Sequence, residues 1–313
     1  MRFMNSVTSD SNLSQHHRLQ GGLRLKGVQK ESEPGKPLIS VITSTFNADQ
    51  HLLTAIKSIR EQTYSNMEWV IVDGASQDTT LDIIRRNEDV IDYWASEPDH
   101  GIYEAWNKGL HIARGDWICF LGADDFLWEP NVCERMAAAL VLTNRTTNVV
   151  YGQMALVNAR GEELYRVGQP WQELKSRFHG TMCIPHPGLM HHRSLFKARG
   201  GFDQTYKIAG DYELLLRELI HHEAVFVPDL IMVGMRVGGV SSDPAHTLIS
   251  LGEVRRAQRA HGIFFPPFYW CVAMLKMRFR LLLWKIFGES RARKMLDQMR
   301  GWGGLPAHWS RTE

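Results

Sequence analysis

Leu38-Ile39-Ser40-Val41-Ile42-Thr43-Ser44-Thr45-Phe46 is the stretch on which the fold turns. It is too apolar for a strand with one wet face, so it predicts a buried parallel strand, with order starting at Pro37. Asn47 or Asp49 then offers a helix cap, and Leu52, Leu53, Ile56 and Ile59 recur at the spacing of one helical face. The cycle repeats. Trp69 to Val72 is a second strand ending at Asp73, and Gly74-Ala75-Ser76-Gln77 is a turn into a helix capped by Asp78 or Thr79. A third strand runs from Ile91 to Ala95, with a helix from about Ile102 to Ala113. The fourth, Trp117 to Gly122, ends at Asp124-Asp125. Strands and helices alternating in this way predict βαβ units, hence an α/β fold with a parallel sheet and helices on both faces.

Beyond a helix from roughly Asn131 to Leu142 the pattern loosens. Val149 to Val157 and Leu164 to Val167 read as a hairpin, so antiparallel structure is appended to the parallel half. Ile184-Pro185-His186-Pro187-Gly188 is irregular, Asp211 to His221 has helical spacing, and Val225 to Val227 and Ile231 to Met235 read as short closing strands.

The 313 residues favour one elaborated domain with appendages. At 44% hydrophobic and 22% charged, the chain is neither disordered, collagenous nor a multi-span membrane protein. A net charge of +2 argues against a dedicated nucleic-acid binder. Four scattered cysteines form no CxxC pair, which excludes a zinc knuckle and fits a reducing, cytoplasmic compartment. Residues 1–36 are polar, lack the apolar core of a secretory signal and read as a disordered lead-in.

Asp73, Asp99 and Asp124-Asp125 all fall at or just beyond the C-terminal ends of strands, the edge where open α/β sheets bind ligands. Aspartate also ends strands and caps helices for purely local reasons, but several on one edge point to a site. In an extended segment, Asp124 and Asp125 would face opposite ways. One is then free for a divalent cation, the other for a ligand hydroxyl such as that of a ribose. Hard cations need only one or two carboxylates when substrate phosphates supply the rest. The plainer alternative is that the pair starts a turn before Pro130. No GxGxxG follows the first strand and no GxxxxGK[ST] occurs, so dinucleotide and P-loop chemistry lack their phosphate cradle.

From Leu38 to about Asp243 the chain resembles the family 2 glycosyltransferases of bacterial polysaccharide assembly, exopolysaccharide and colanic-acid-type sugar transferases among them. The resemblance rests on Ser40 to Asn47, Val70 to Thr80, Ser96 to Gly109, Gly115 to Asp125, Gly200-Gly201-Phe202-Asp203 and Gly210-Asp211-Tyr212-Glu213, in the family's order. It implies a GT-A (nucleotide-diphospho-sugar transferase) fold over 37–250 and a metal-dependent, inverting transfer of one sugar. The donor is a nucleotide-diphosphate sugar and the acceptor a hydroxyl of a saccharide or lipid-linked saccharide. It implies further that Thr45, Asn47 and Asp73 line the nucleotide pocket, with Asp73 accepting from the base, and that Asp99 and Lys108 flank ribose or phosphate. Asp124-Asp125 stands at the family's Asp-x-Asp motif, with Asp125 on Mg²⁺ or Mn²⁺ and Asp124 on the nucleotide sugar. Asp211 matches the family's base, although Gly210 replaces the usual preceding Glu. His186 and Arg236 fall on the acceptor-side and diphosphate-side loops, the latter within Arg236-Val237-Gly238-Gly239-Val240-Ser241-Ser242. The Gln-x-x-Arg-Trp motif of processive synthases is absent. A nucleotidyltransferase on a similar sheet and a catalytically idle nucleotide-sugar-binding scaffold are the competing classes.

Residues 251–313 differ in kind. From Gly252 onward 12 Lys and Arg face 4 Asp and Glu, interleaved with Phe264-Phe265-Pro266-Pro267-Phe268-Tyr269-Trp270 and a Leu- and Met-rich run. Cations interrupt every apolar stretch, so the tail does not span a bilayer. It reads as a helix lying on an anionic membrane at its cytoplasmic face, or as one packed on the catalytic domain or a second subunit.

Overall fold

The computed structural model describes residues 18–237 and 244–302. The strands are β1 (Leu19–Gly21), β2 (Ile39–Thr45), β3 (Met67–Asp73), β4 (Tyr93–Ser96), β5 (Trp117–Phe120), β6 (Phe126–Leu127), β7 (Val149–Val157), β8 (Glu163–Val167), β9 (Met190–His192) and β10 (Val225–Arg236). The helices are α1 (Leu52–Arg60), α2 (Thr80–Arg86), α3 (Ile102–Ile112), α4 (Val132–Val141), α5 (Trp171–Phe178), α6 (Arg193–Arg199), α7 (Gly210–Leu219), α8 (Pro244–Ala260), α9 (Phe268–Phe287) and α10 (Glu289–Trp302).

One sheet runs β1-β4-β3-β2-β5-β9-β7-β10-β6, with β8 paired to β7. β4, β3, β2 and β5 are mutually parallel, the βαβ half read from the sequence. Past β5 the sheet is mixed, because β9 runs antiparallel to both β5 and β7. The two expected closing strands are one strand, β10, which runs parallel to β7. Its register shifts around Asp229, whose φ of 56° breaks the alternation that would have shown a single strand.

Period-two alternation divides the core. Ile39, Val41, Trp69, Ile71, Cys119 and Leu121 face α1, α2 and α4, whereas Ile42, Val70, Val72, Ile118 and Phe120 face α3, α5, α7 and α8. Residues buried on both faces explain the near-continuous apolar runs of β2 and β3.

Order begins well before Pro37. β1 pairs antiparallel with β4, and the Leu23 and Arg24 amides donate to Ile91 and Asp92 carbonyls at 2.9 Å. Arg24 meets Glu68 at 2.6 Å and Lys30 meets Asp92 at 2.9 Å, both carboxylates being buried. Two cations answering two buried carboxylates fix this segment, a cause that composition does not register. The expected lead-in of residues 1–36 is therefore built in from Arg18 onward, and its first 17 residues lie outside the described ones.

The boundary expected at residue 250 falls inside α8, which contributes Val254 and Ala257 to the second core. The packed body therefore extends to Ala260. α9 and α10 follow as a helical hairpin, tied back by the Trp270 indole donating to the Leu251 carbonyl at 2.9 Å. Among the described residues no helix is long and apolar enough to cross a membrane.

Candidate active site

The loops after β2 and β3 are stitched into one wall. Asn47 and Ala75 both adopt left-handed backbone, with φ of 49° and 61°, an uncommon geometry for residues with a side chain. It is held by reciprocal bonds: the Asn47 amide donates to Ser76 Oγ at 2.9 Å, and Asn47 Oδ1 accepts from the Gln77 amide at 2.8 Å.

Asp73, at the end of β3, is fully buried beneath this wall. It accepts from Thr45 Oγ1 (2.8 Å), Ser96 Oγ (2.7 Å) and both the amide (3.0 Å) and hydroxyl (2.5 Å) of Ser76. Each oxygen thus has two internal donors, and Asp73 acts as the knot of the pocket floor. Ser96 carries no sequence signal of this role, because its partner lies on the neighbouring strand, whereas Ser76 sits three residues after Asp73 in the same turn.

A cavity of about 650 Å³ opens above, lined by Thr45, Phe46, Asn47, Gly74, Asp99, Gly101, Ala105 and Asp124 among others. That volume suits a small-molecule ligand. Asp99 reaches in because Gly74 yields: a Cβ there would lie 2.6 Å from Asp99 Oδ2. Burial holds the Asp99 carboxyl above its ordinary range, against the Gly101 amide bond and the Lys108 charge. Phe46, 65% exposed at the cavity wall, is an aromatic face that the reading of polar residues passed over. Lys108 does not line the cavity. Its ammonium clasps Glu104 (2.9 Å), Glu97 (3.3 Å) and the Pro98 carbonyl (2.9 Å), closing the loop that carries Asp99.

Asp124 and Asp125 lie in a turn closed by the Asp125 amide donating to the Gly122 carbonyl at 3.2 Å. The expectation of carboxylates facing opposite ways fails for that reason. Both converge over Gly122, where a Cβ would sit 2.6 Å from Asp125 Oδ2 and 2.9 Å from Asp124 Oδ1. Burial and then the neighbouring Asp124 charge push the Asp125 carboxyl well above the ordinary range. Two hard oxygens together, one starved of countercharge, fit a divalent cation sharing its remaining positions with phosphate. Among the described residues no third carboxylate, His or Cys completes a cage.

A second cleft of about 670 Å³ is lined by Asp211, His186, Arg166, Arg177, Met154, Met182 and Met235 among others. Two hydrogen-bonded contacts connect its surroundings to those of the first. Met235 in its wall precedes Arg236, whose amide donates to Asp125 Oδ1 at 3.4 Å. Tyr103, from the first turn of α3, accepts from the Gly210 amide at 2.8 Å and donates to the Ile208 carbonyl at 2.6 Å. Gly210 is explained by the same contact: a Cβ there would lie 2.8 Å from the Tyr103 ring, so a Glu has no room. The start of α7 is held instead by Glu253 of α8, which accepts the Lys207, Ile208 and Ala209 amides at 2.8, 2.9 and 2.9 Å. Desolvation pushes the Asp211 carboxyl up to about 6, with the Glu253 charge adding to the rise against several hydrogen bonds. A carboxylate so tuned is suited to accept a proton near neutrality.

His186 and Arg236 are both anchored by contacts within the protein. His186 stacks on Trp106 and Phe120 at centroid distances of 5.2 and 5.7 Å, and burial, then the nearby His191, holds it well below its ordinary value. It is a neutral ring in the core edge, with Nε2 unpartnered. The Arg236 guanidinium turns to the Ala159 carbonyl at 2.9 Å, so this residue reaches the acidic pair through its backbone. Gly238 to Ser242 lie outside the described residues.

An acidic strand edge on a βαβ sheet, with a ligand cavity over it, is the arrangement expected of the GT-A fold, and the solved structures on which the chain superposes share that fold. The model of the family described as "Glycosyl transferase family 2" matches residues 40–198, and the chain belongs to that family as a glycosyltransferase. It is 31% identical over 186 residues to a PGL/p-HBAD biosynthesis glycosyltransferase of Mycobacterium bovis, covering 58% of this chain and 69% of that one. An uncharacterized glycosyltransferase of Mycobacterium tuberculosis is 31% identical over 227 residues, 72% and 84% of the two chains. Among solved structures, S. aureus TarS 1-349 in complex with UDP-GlcNAc superposes with a TM-score of 0.57 at 20% identity, covering 70% of this chain and 66% of that one. The mannosyltransferase PcManGT from Pyrobaculum calidifontis, in complex with GDP-Man and Mn2+, superposes with a TM-score of 0.55 at 19% identity, covering 93% and 88%.

Proposed function

We propose that the chain moves one sugar from a nucleotide-diphosphate donor to a hydroxyl of a saccharide or lipid-linked acceptor, inverting the anomeric centre, in cell-surface polysaccharide assembly on the cytoplasmic side. The observation that carries this reading is a pair of clefts linked by hydrogen bonds: one presents Asp99 and Asp124, the other Asp211, and Asp125 accepts from the amide that follows Met235 of the second.

In the first cleft the Asn47–Ser76 wall and Phe46 take the nucleoside, Phe46 offering a face on which a base stacks. Asp99 accepts from a ribose hydroxyl. Asp124 and Asp125 would hold Mg²⁺ or Mn²⁺; when bound, the cation supplies charge neutralisation for the leaving diphosphate. In the second cleft Asp211 orients the acceptor hydroxyl and takes its proton as the oxygen attacks the anomeric carbon. The C–O bond to the diphosphate breaks from the opposite face. One displacement with one base leaves the configuration inverted. Tyr103 and Glu253 fix the backbone from which Asp211 projects, and Met154, Met182 and Met235 in the cleft wall restrict water that would hydrolyse the donor.

The test is a panel of nucleotide sugars with Mn²⁺ or Mg²⁺, followed by thermal shift and by release of nucleoside diphosphate. One donor should raise the melting temperature in a cation-dependent way, and Asp125→Ala should abolish the shift. If no donor shifts the wild type and Asp125→Ala changes nothing, the transfer reading is wrong.

A further inference from the structure

We infer that α9 lies in the interface of an anionic lipid membrane, so that the acceptor cleft opens beside the bilayer. Phe268, Leu275, Phe279, Leu282 and Ile286 follow one another at intervals of 7, 4, 3 and 4 residues, which puts them on a single line along the helix. All five are exposed, by between 43% and 75%, while Met277, Arg280 and Leu283 turn inward. An apolar stripe of this length, left uncovered by the described residues on a helix already packed by its other side, needs a partner.

The charges name it. At 100° per residue, Lys276 lies about 80° to one side of the stripe, and Arg278 and Lys285 about 80–100° to the other. No acidic residue occurs between Glu253 and Glu289. Cations on both flanks of an apolar line match an interfacial helix, whose aliphatic stems reach past the acyl boundary while their heads pair with anionic headgroups. A second copy of the same helix would bring these like charges together. The loop before α9 adds Phe264 and Phe265, 74% and 88% exposed, which none of the described residues covers.

The placement ties to the chemistry. Tyr269 and Trp270 pack on Gly180 so closely that a Cβ there would meet Tyr269 Cβ at 2.7 Å. Gly180 lies between Arg177 and Met182, both in the wall of the Asp211 cleft. A membrane under α9 therefore lies next to the cleft assigned to the acceptor; the lipid binding itself does not depend on that assignment.

The experiment is flotation of the full-length protein with vesicles of phosphatidylglycerol and phosphatidylcholine, against phosphatidylcholine alone. Binding to the anionic vesicles only, weakening as salt rises, is the expected result. The triple change Lys276→Ala, Arg278→Ala, Lys285→Ala should weaken it about fivefold per cation. Leu275→Ser with Phe279→Ser and Leu282→Ser should release the protein, with the donor-induced melting shift intact in both variants. No flotation of the wild type, equal flotation on both vesicle types, or stripe variants that float like wild type would overturn the inference. So would a wild-type dimer in solution that the stripe variant turns into a monomer.

Discussion

Replacing Asp211 by Asn should slow sugar transfer and at the same time stabilise the fold. The carboxyl is pushed up to about 6 from an ordinary 3.8, chiefly by desolvation in the cleft wall. A rise of about two units corresponds to about 3 kcal/mol by which folding disfavours the ionised form. The native state binds the proton more tightly than the unfolded chain, so stability falls as pH rises from about 4 to about 6, and the whole cost is present above that window. Asparagine is neutral throughout, keeps the shape, and still accepts the Tyr212 amide, a bond of 2.8 Å here. The variant should therefore exceed the wild type by about 2–3 kcal/mol at pH 8, the lower figure allowing for partial exposure to the cleft. Near pH 4 the advantage should vanish. Removal of a general base should cost about a hundred- to ten-thousandfold in turnover. Urea unfolding of both proteins at the two pH values, with release of nucleoside diphosphate as the activity readout, tests all three statements. Equal stability at pH 8, or an advantage of the same size at both, refutes the burial argument; turnover near wild type removes Asp211 from the base role.

Other consequences can be measured directly. Gly122→Ala places a methyl 2.6 Å from Asp125 Oδ2, and the resulting displacement of about 1–3 kcal/mol should weaken cation-dependent donor binding about ten- to a hundredfold in calorimetric titration. Arg24→Ala leaves the buried Glu68 without its cation and should destabilise by about 3–5 kcal/mol in denaturant unfolding; a loss below 1 kcal/mol means that the pair is dispensable. Tyr103→Phe strands the Gly210 amide and Ile208 carbonyl, and should cost about 1–3 kcal/mol of stability while also lowering kcat, because the backbone carrying Asp211 loosens. Unchanged kcat in that variant shows that α3 does not position the base.

Much of the fold was legible because β2, β3 and β5 are buried on both faces and α1 and α3 on one, which leaves runs and periodicities that a sequence displays directly. The acidic residues on the carboxyl edge were legible for the same reason: once strand ends are known, so is the edge. Other features depend on encounters between distant residues. Nothing in the string around Arg24 or Lys30 announces Glu68 and Asp92. Lys108, which the resemblance puts beside ribose or phosphate, is held by three partners in the loop and helix that no spacing announces. Asp124 and Asp125 were judged by strand alternation, whereas one backbone bond to Gly122 turns them to the same side. Gly210, a departure from the family pattern, is explained by the Tyr103 ring about a hundred residues earlier.

The short strand β1 also protects the molecule from its own kind. At one end the sheet finishes on this three-residue strand, so that margin offers no long template for a foreign strand. A shortened chain beginning at Pro37 would bare the main-chain groups of Tyr93-Trp94-Ala95-Ser96 and uncover the Trp94 indole, which now lies against Gly21. Self-association through that margin is the first fault expected after trimming, ahead of any loss of catalysis, because none of the described residues removed lines either cleft.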